Sequence, residues 1–154
     1  MRVILPGSYD PVTLGHLEII KRAAEKYDEV FVVAFINPDK EYTFTIDERV
    51  KMLILATDEL PNVLVSYSLG TVVDYMREHS IEKIVKGYRN DVDLEYELKQ
   101  IEHNKKHGGY DTELMKCDSE FEQISSTVAR AAINDGTNLE GILPKPVIDF
   151  IKKH

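Results

Sequence analysis

Short apolar runs rich in β-branched residues alternate with amphipathic helical stretches along this chain. No other feature constrains its fold as much. Val3-Ile4-Leu5, Val30 to Phe35, Val63-Leu64-Val65 and Ile84-Val85 read as strands. Thr112 to Lys116 reads as a fifth strand of unusually polar content. Leu17 to Tyr27, Ile46 to Leu60, Val72 to Glu78 and Val92 to Lys105 read as helices, followed by Val128 to Ile133 and Pro146 to Lys152. Asp47 and Glu48 suit the first turn of the second helix, where the helix dipole favours acids. Leu94, Leu98 and Ile101 share one face of the fourth, and Gly108-Gly109 breaks it. Strands that alternate with helices predict an α/β fold: a Rossmann-like, doubly wound, parallel five-stranded sheet with helices on both faces. Such sheets bind ligands beyond the carboxyl ends of their strands, where the strand order switches. The loops after the first, second and fourth strands are therefore the candidate site.

Composition narrows the class. The 154 residues suit a single domain, 1–154, and 43% hydrophobic content argues against disorder. With 19 basic and 27 acidic residues the net charge is −8, a poor match for nonspecific nucleic-acid binding. A local basic pocket for a small anion is compatible with that balance. Cys117 is the only cysteine, so neither an intrachain disulfide nor a thiolate zinc cluster can form. The N-terminal apolar run is too short for a signal peptide, and no run is long enough to span a bilayer. The expectation is a cytoplasmic protein with neither nucleic acid nor membrane as partner.

The chemistry concentrates in Gly7-Ser8-Tyr9-Asp10-Pro11-Val12-Thr13-Leu14-Gly15-His16. The segment joins the first strand to the first helix. Gly15 and His16 then fall in the first turn of that helix, where free N–H groups and the dipole favour an anion. Glycine allows close approach of a phosphate, and histidine can add positive charge where negative charge develops. Chemistry on a nucleotide phosphate is the reading that follows.

Three further segments lie where binding loops are expected: Asn37-Pro38-Asp39-Lys40, Lys86-Gly87-Tyr88-Arg89 and Ile124-Ser125-Ser126-Thr127. With His16 they add Lys40, Lys86 and Arg89, a set of positive donors suited to a polyphosphate. The same residues also have plain structural readings, the lysines as solvated surface groups and Ser125-Ser126-Thr127 as a helix N-cap. His79, His103, His107 and His154 read as surface or helix-end residues with no metal role.

Together GSYDPVTLGH at 7–16, FTIDERV at 44–50, KGYRNDVDLEYE at 86–97 and ISST at 124–127 resemble the bacterial phosphopantetheine adenylyltransferases. That family belongs to the nucleotidyltransferases with a histidine signature at the first helix. Its Thr-x-Gly-His form, here Thr13 to His16, separates it from the nicotinate-mononucleotide branch, which usually has histidine at the position of Thr13. The resemblance implies transfer of AMP from ATP to 4′-phosphopantetheine, giving dephospho-coenzyme A and pyrophosphate, with Mg²⁺ on the phosphates. It implies catalytic roles for His16, Lys40, Arg89 and Ser8, with His16 on the α-phosphorus. ATP would be lined by Ser8, Tyr9, His16, Gly87, Tyr88, Arg89, Glu97 and by Phe121, Glu122, Gln123, Ile124, Ser125, Ser126 and Thr127. The acceptor would meet Ser8, Lys40, Val72 and Lys86. A homohexamer is also implied. Lys86 stands where the family usually has arginine, and Thr71 and Val72 where it often has leucines. Those departures leave open a different phosphate acceptor, and a non-catalytic nucleotide-binding homologue is the remaining alternative.

Overall fold

The computed structural model describes residues 1–107 and 110–153. The predicted break at Gly108-Gly109 and the readings of His154 and of the His107 side chain lie outside the described residues. The elements run β1 (Arg2–Gly7), α1 (Leu14–Lys26), β2 (Glu29–Phe35), α2 (Ile46–Ala56), β3 (Val63–Ser68), α3 (Val72–Glu78), β4 (Lys83–Tyr88), α4 (Asp91–His107), β5 (Asp111–Lys116), α5 (Ser126–Asp135) and α6 (Lys145–Lys153), with a 3-10 turn at Ser119–Phe121. The sheet is five-stranded in the order β3-β2-β1-β4-β5, and every pairing is parallel. The chain winds outward from β1 to β3, then crosses back to β4 and on to β5. The order therefore switches between β1 and β4, and a crevice opens there at the carboxyl ends.

Alternation along the strands sorts the core onto two faces. Val3, Leu5, Val30, Val32, Ala34, Val85 and Met115 pack with Ile19, Ile20 and Ala23 of α1, Met52 and Leu53 of α2, Ala129 of α5, and Val147 and Ile148 of α6. On the other face Ile4, Phe31, Val33 and Ile84 pack with Tyr75 and Met76 of α3 and with Ile81. The doubly wound parallel expectation holds. β5 forms despite its polarity because it is an edge strand. Its Glu113 carboxylate accepts from the Tyr27 hydroxyl and the Lys26 ammonium. Among the described residues no helix is long and apolar enough to cross a membrane.

α4 departs from its expected amphipathic form. It lies beside β4 and β5, yet none of its residues through 106 is buried. Leu98, expected on a packed face, is 52% exposed, as are Val92 and Tyr96 to a greater extent. Its acidic side chains, not its apolar ones, make the contacts described next.

Candidate active site

The first helix is capped by the signature itself. Thr13 is the N-cap of α1, and its hydroxyl accepts from the His16 backbone N–H at 3.3 Å. Three positions on, where a capping box normally has glutamate, His16 returns the bond: Nδ1 accepts from the Thr13 backbone N–H at 3.0 Å. The Thr13 hydroxyl lies 3.2 Å from the same nitrogen. An Nδ1 that accepts carries no proton, so the proton of the neutral ring sits on Nε2. The ring is thus delivered as an Nε2–H donor of fixed tautomer.

Tyr9 braces that ring edge-on, with centroids 5.1 Å apart and planes at 71°. Tyr9 takes a left-handed backbone (φ 49°), a strained choice for a bulky residue. Its buried hydroxyl donates to the Leu5 carbonyl at 2.9 Å. A Cβ on Gly7 would come within 3.1 Å of the tyrosine ring, so glycine there makes the room. Burial and the nearby Arg89 charge push the His16 imidazole down to about 4. Near neutrality the ring is therefore a neutral donor.

The crevice at the switch point is a cleft of about 570 Å³. It brings together Tyr9, His16, Lys86, Gly87, Tyr88, Arg89, Glu97, Ile124, Ser125 and Ser126 from the predicted set, along with Thr13, Gly15 and Cys117. A Cβ on Gly15 would meet nothing nearer than 3.6 Å, so internal packing does not demand glycine, and its missing side chain leaves room on the cleft. Gly87 is the reverse case, because a Cβ there would strike Ile19 at 2.7 Å. Gly87 is glycine so that β4 can approach α1. A second helix start faces the same cleft: Ser125 caps α5 by accepting from the Val128 N–H at 3.1 Å. The two helix N-termini and two cationic side chains make the cleft suited to an anion.

Both cations are held by carboxylates of α4. Arg89 Nε donates to Asp93 Oδ2 at 2.9 Å, and the Arg89 backbone N–H reaches the same oxygen at 3.2 Å. Lys86 Nζ lies 3.0 Å from Glu97 Oε2.

Other predicted residues lie off this lining. Ser8 turns its carbonyl to Arg49 Nη1 at 2.9 Å. Lys40 is exposed in the segment after β2, with Nζ 5.4 Å from the Tyr42 ring centroid. Val72 lines a separate, smaller cleft with Thr71, Arg77 and His103. Phe121 packs against the core, Glu122 lies 3.9 Å from Lys116 Nζ, and Gln123 is exposed. Thr127 Oγ1 accepts from Arg130 Nη2 at 3.1 Å.

Sequence reasoning missed three residues that hold the signature in place. Asp10 is 2% exposed and its carboxylate accepts from the backbone N–H groups of Thr43 and Phe44, each at 2.9 Å. Arg49, also 2% exposed, stacks 3.9 Å from the Tyr42 ring centroid while donating to Ser8. Arg130 donates to the Asp10 carbonyl at 2.9 Å. Arg49 did leave a signal, since it stands on the inward stripe of α2 with Ile46 and Leu53. A charge on such a stripe asks for a buried partner.

Residues 4–132 match the family model described as cytidylyltransferase-like. A phosphopantetheine adenylyltransferase of Corynebacterium efficiens is 39% identical, covering 99% of this chain and 97% of its own. One from Clostridium novyi is 42% identical with the same coverage. A solved structure from Vibrio parahaemolyticus, assigned as a nicotinate-nucleotide adenylyltransferase, superposes with a TM-score of 0.70 over 99% of this chain and 91% of that one; at 15% identity it supports the fold alone. A cleft at the strand-order switch, a histidine-capped first helix and full-length similarity converge: the chain belongs to the cytidylyltransferase-like family and, within it, to the phosphopantetheine adenylyltransferases.

Proposed function

We infer that the chain transfers AMP from ATP to 4′-phosphopantetheine, releasing pyrophosphate and forming dephospho-coenzyme A. The observation that carries this reading is similarity along nearly the whole chain to two phosphopantetheine adenylyltransferases. The cleft's chemistry supports it. An oxygen of the acceptor phosphate forms a bond to the α-phosphorus of ATP. The bond from that phosphorus to the bridging oxygen breaks, and its electron pair leaves with pyrophosphate. The nucleophile is already an anion, so no side chain need remove a proton. The enzyme's work is alignment and charge neutralisation.

His16 Nε2–H donates to an α-phosphate oxygen, and its fixed tautomer requires no reorganisation when charge develops there. Arg89 and Lys86 exchange their α4 carboxylates for phosphate oxygens. Lys40 meets the reacting phosphates from the segment after β2, and Ser8 lies near both substrates. Tyr9, Gly87, Tyr88, Glu97 and residues 121–127 surround ATP, and Val72 lies along the pantetheine arm. Mg²⁺ belongs to the same proposal. Among the described residues no three His, Cys, Asp or Glu side chains gather to hold a metal. Lys86, Arg89 and the two helix N-termini suit phosphate oxygens instead, so the ion would come carried on the triphosphate. When bound it neutralises further phosphate charge. A hexameric assembly, checked by light scattering, completes the proposal.

The test is pyrophosphate release from ATP and Mg²⁺, with and without 4′-phosphopantetheine. Acceptor-dependent release with dephospho-coenzyme A as product is expected. ATP binding without release would contradict the reading, and release only with another phosphate acceptor would replace the substrate.

A further inference from the structure

The segment from Ile36 to Thr45 contains Lys40 and no helix or strand, so something other than backbone ladders must hold it. Its internal bonds are few. The Asn37 N–H donates to the Tyr42 hydroxyl at 2.8 Å, the Asp39 N–H to Asn37 Oδ1 at 3.0 Å and the Lys40 N–H to the Asn37 carbonyl at 3.1 Å, while the Ile36 N–H donates to the Ser68 carbonyl at 3.1 Å. A two-point tether comes from the signature turn. The Asp10 carboxylate uses both oxygens, Oδ2 for the Thr43 N–H and Oδ1 for the Phe44 N–H. Burying a carboxylate is costly unless hydrogen bonds replace its water, and here charge-assisted bonds to two amides do so. Arg130 Nη1 stands 3.8 Å from Oδ2 on the other side. Asparagine in the same place would offer one oxygen to two N–H groups and turn an NH₂ donor toward the second.

We propose that Asp10 is a positioning residue for the reaction: its carboxylate pins the 36–45 segment to the histidine signature and so sets where Lys40 stands relative to His16. This rests on the reading that Lys40 meets the reacting phosphates. Asp10 touches no substrate in this account and lies off the lining of the cleft.

The experiment is a double-mutant cycle on the full chain, read as dephospho-coenzyme A formation. Asp10→Asn lowers kcat by about tenfold or more while KM for ATP moves less than about threefold, because misplacement by an ångström is felt mainly in the transition state. Lys40→Ala also loses activity, and in that background Asp10→Asn costs less than about twofold more. A loss from Asp10→Asn that is equally large without Lys40 would overturn the inference while leaving the AMP-transfer reading intact. So would near-normal activity of Lys40→Ala. Wild-type protein that makes no dephospho-coenzyme A would instead overturn the reading itself. If Asp10→Asn does not fold, hydrogen exchange on the wild-type chain decides. The Thr43 and Phe44 amides are expected to be protected about a hundredfold or more over the exposed Glu41 amide. Equal exchange at all three would overturn the proposal.

Discussion

The two walls of the cleft are built on opposite terms. The β1–α1 wall is set in advance: Thr13, Tyr9 and His16 hold one another through short-range bonds, and Tyr9 and Thr13 are almost fully buried. The β4–α4 wall is held by charge. Arg89 and Lys86 sit on Asp93 and Glu97 of a helix with no buried residue through position 106. The first arrangement suits a donor that must be in place before charge develops. The second suits cations that change partners when phosphates arrive, since a phosphate oxygen offers each cation the same charge-assisted bonds as the carboxylate it leaves. The lesson is that one site can combine a rigid donor with adjustable neutralisers, and that the partner tells them apart: His16 is bonded to backbone, Lys86 and Arg89 to side-chain carboxylates.

The comparison breaks most visibly at His16. His16→Ala should lower kcat on the order of 10²–10³-fold, the range for loss of one preorganised transition-state donor. KM for ATP should change by less than about threefold, which steady-state kinetics would resolve. A change confined to KM would place His16 among ground-state contacts instead.

The next effect is in stability against pH. His16 has a folded value of about 4 against an ordinary 6.5, so the unfolded chain binds its proton first. Its contribution is complete above pH 6.5 and is lost as pH falls toward 4. It amounts to about 2 kcal/mol after allowance for partial exposure. Urea denaturation across that window should show the slope, and His16→Gln should flatten it.

Thr13→Ala is a smaller perturbation of the same wall. Loss of an N-cap hydroxyl costs about 1 kcal/mol, and thermal melting would report it. Because that hydroxyl also lies against His16 Nδ1, kcat should fall too. A pure stability loss with unchanged kcat would separate the cap from the chemistry.

The smallest effect belongs to α4. Asp93→Asn should alter stability by less than about 0.5 kcal/mol, since the Arg89–Asp93 pair is partly exposed. With the competing carboxylate gone, ATP should bind tighter by calorimetry. Weaker binding would mean that Asp93 orients Arg89 more than it competes for it.

How much of this could be read beforehand follows the range of the interactions. β1 and β2 were plain because Val3-Ile4-Leu5 and Val30 to Ala34 are buried on both faces and carry no polar residue. β5 was hard to read because Glu113 and Lys116 serve an edge strand, where one side needs no apolar cover. The place of His16 in the first turn of α1 was visible from the strand-turn-helix order. The tautomer was not, because it depends on which nitrogen meets the backbone. The protonation state of His16 was not legible either, because its burial and the neighbouring Arg89 charge are set by the tertiary fold. The roles of Asp10, Arg49 and Arg130 were hidden for another reason, although the place of Arg49 on the inward stripe of α2 did mark it as buried. Their partners are backbone groups 33, 41 and 120 residues away, and no side-chain pattern marks a backbone acceptor or donor.

The central claim is that His16 waits as a neutral Nε2–H donor with Nδ1 bonded to the capping turn. Nitrogen-15 NMR of histidine-labelled protein tests it most directly. The account predicts an unprotonated Nδ1, a protonated Nε2 and no ring protonation from pH 8 down to about 5, well below the ordinary histidine range. A His16 that titrates near 6.5, or one that carries its proton on Nδ1, would contradict it.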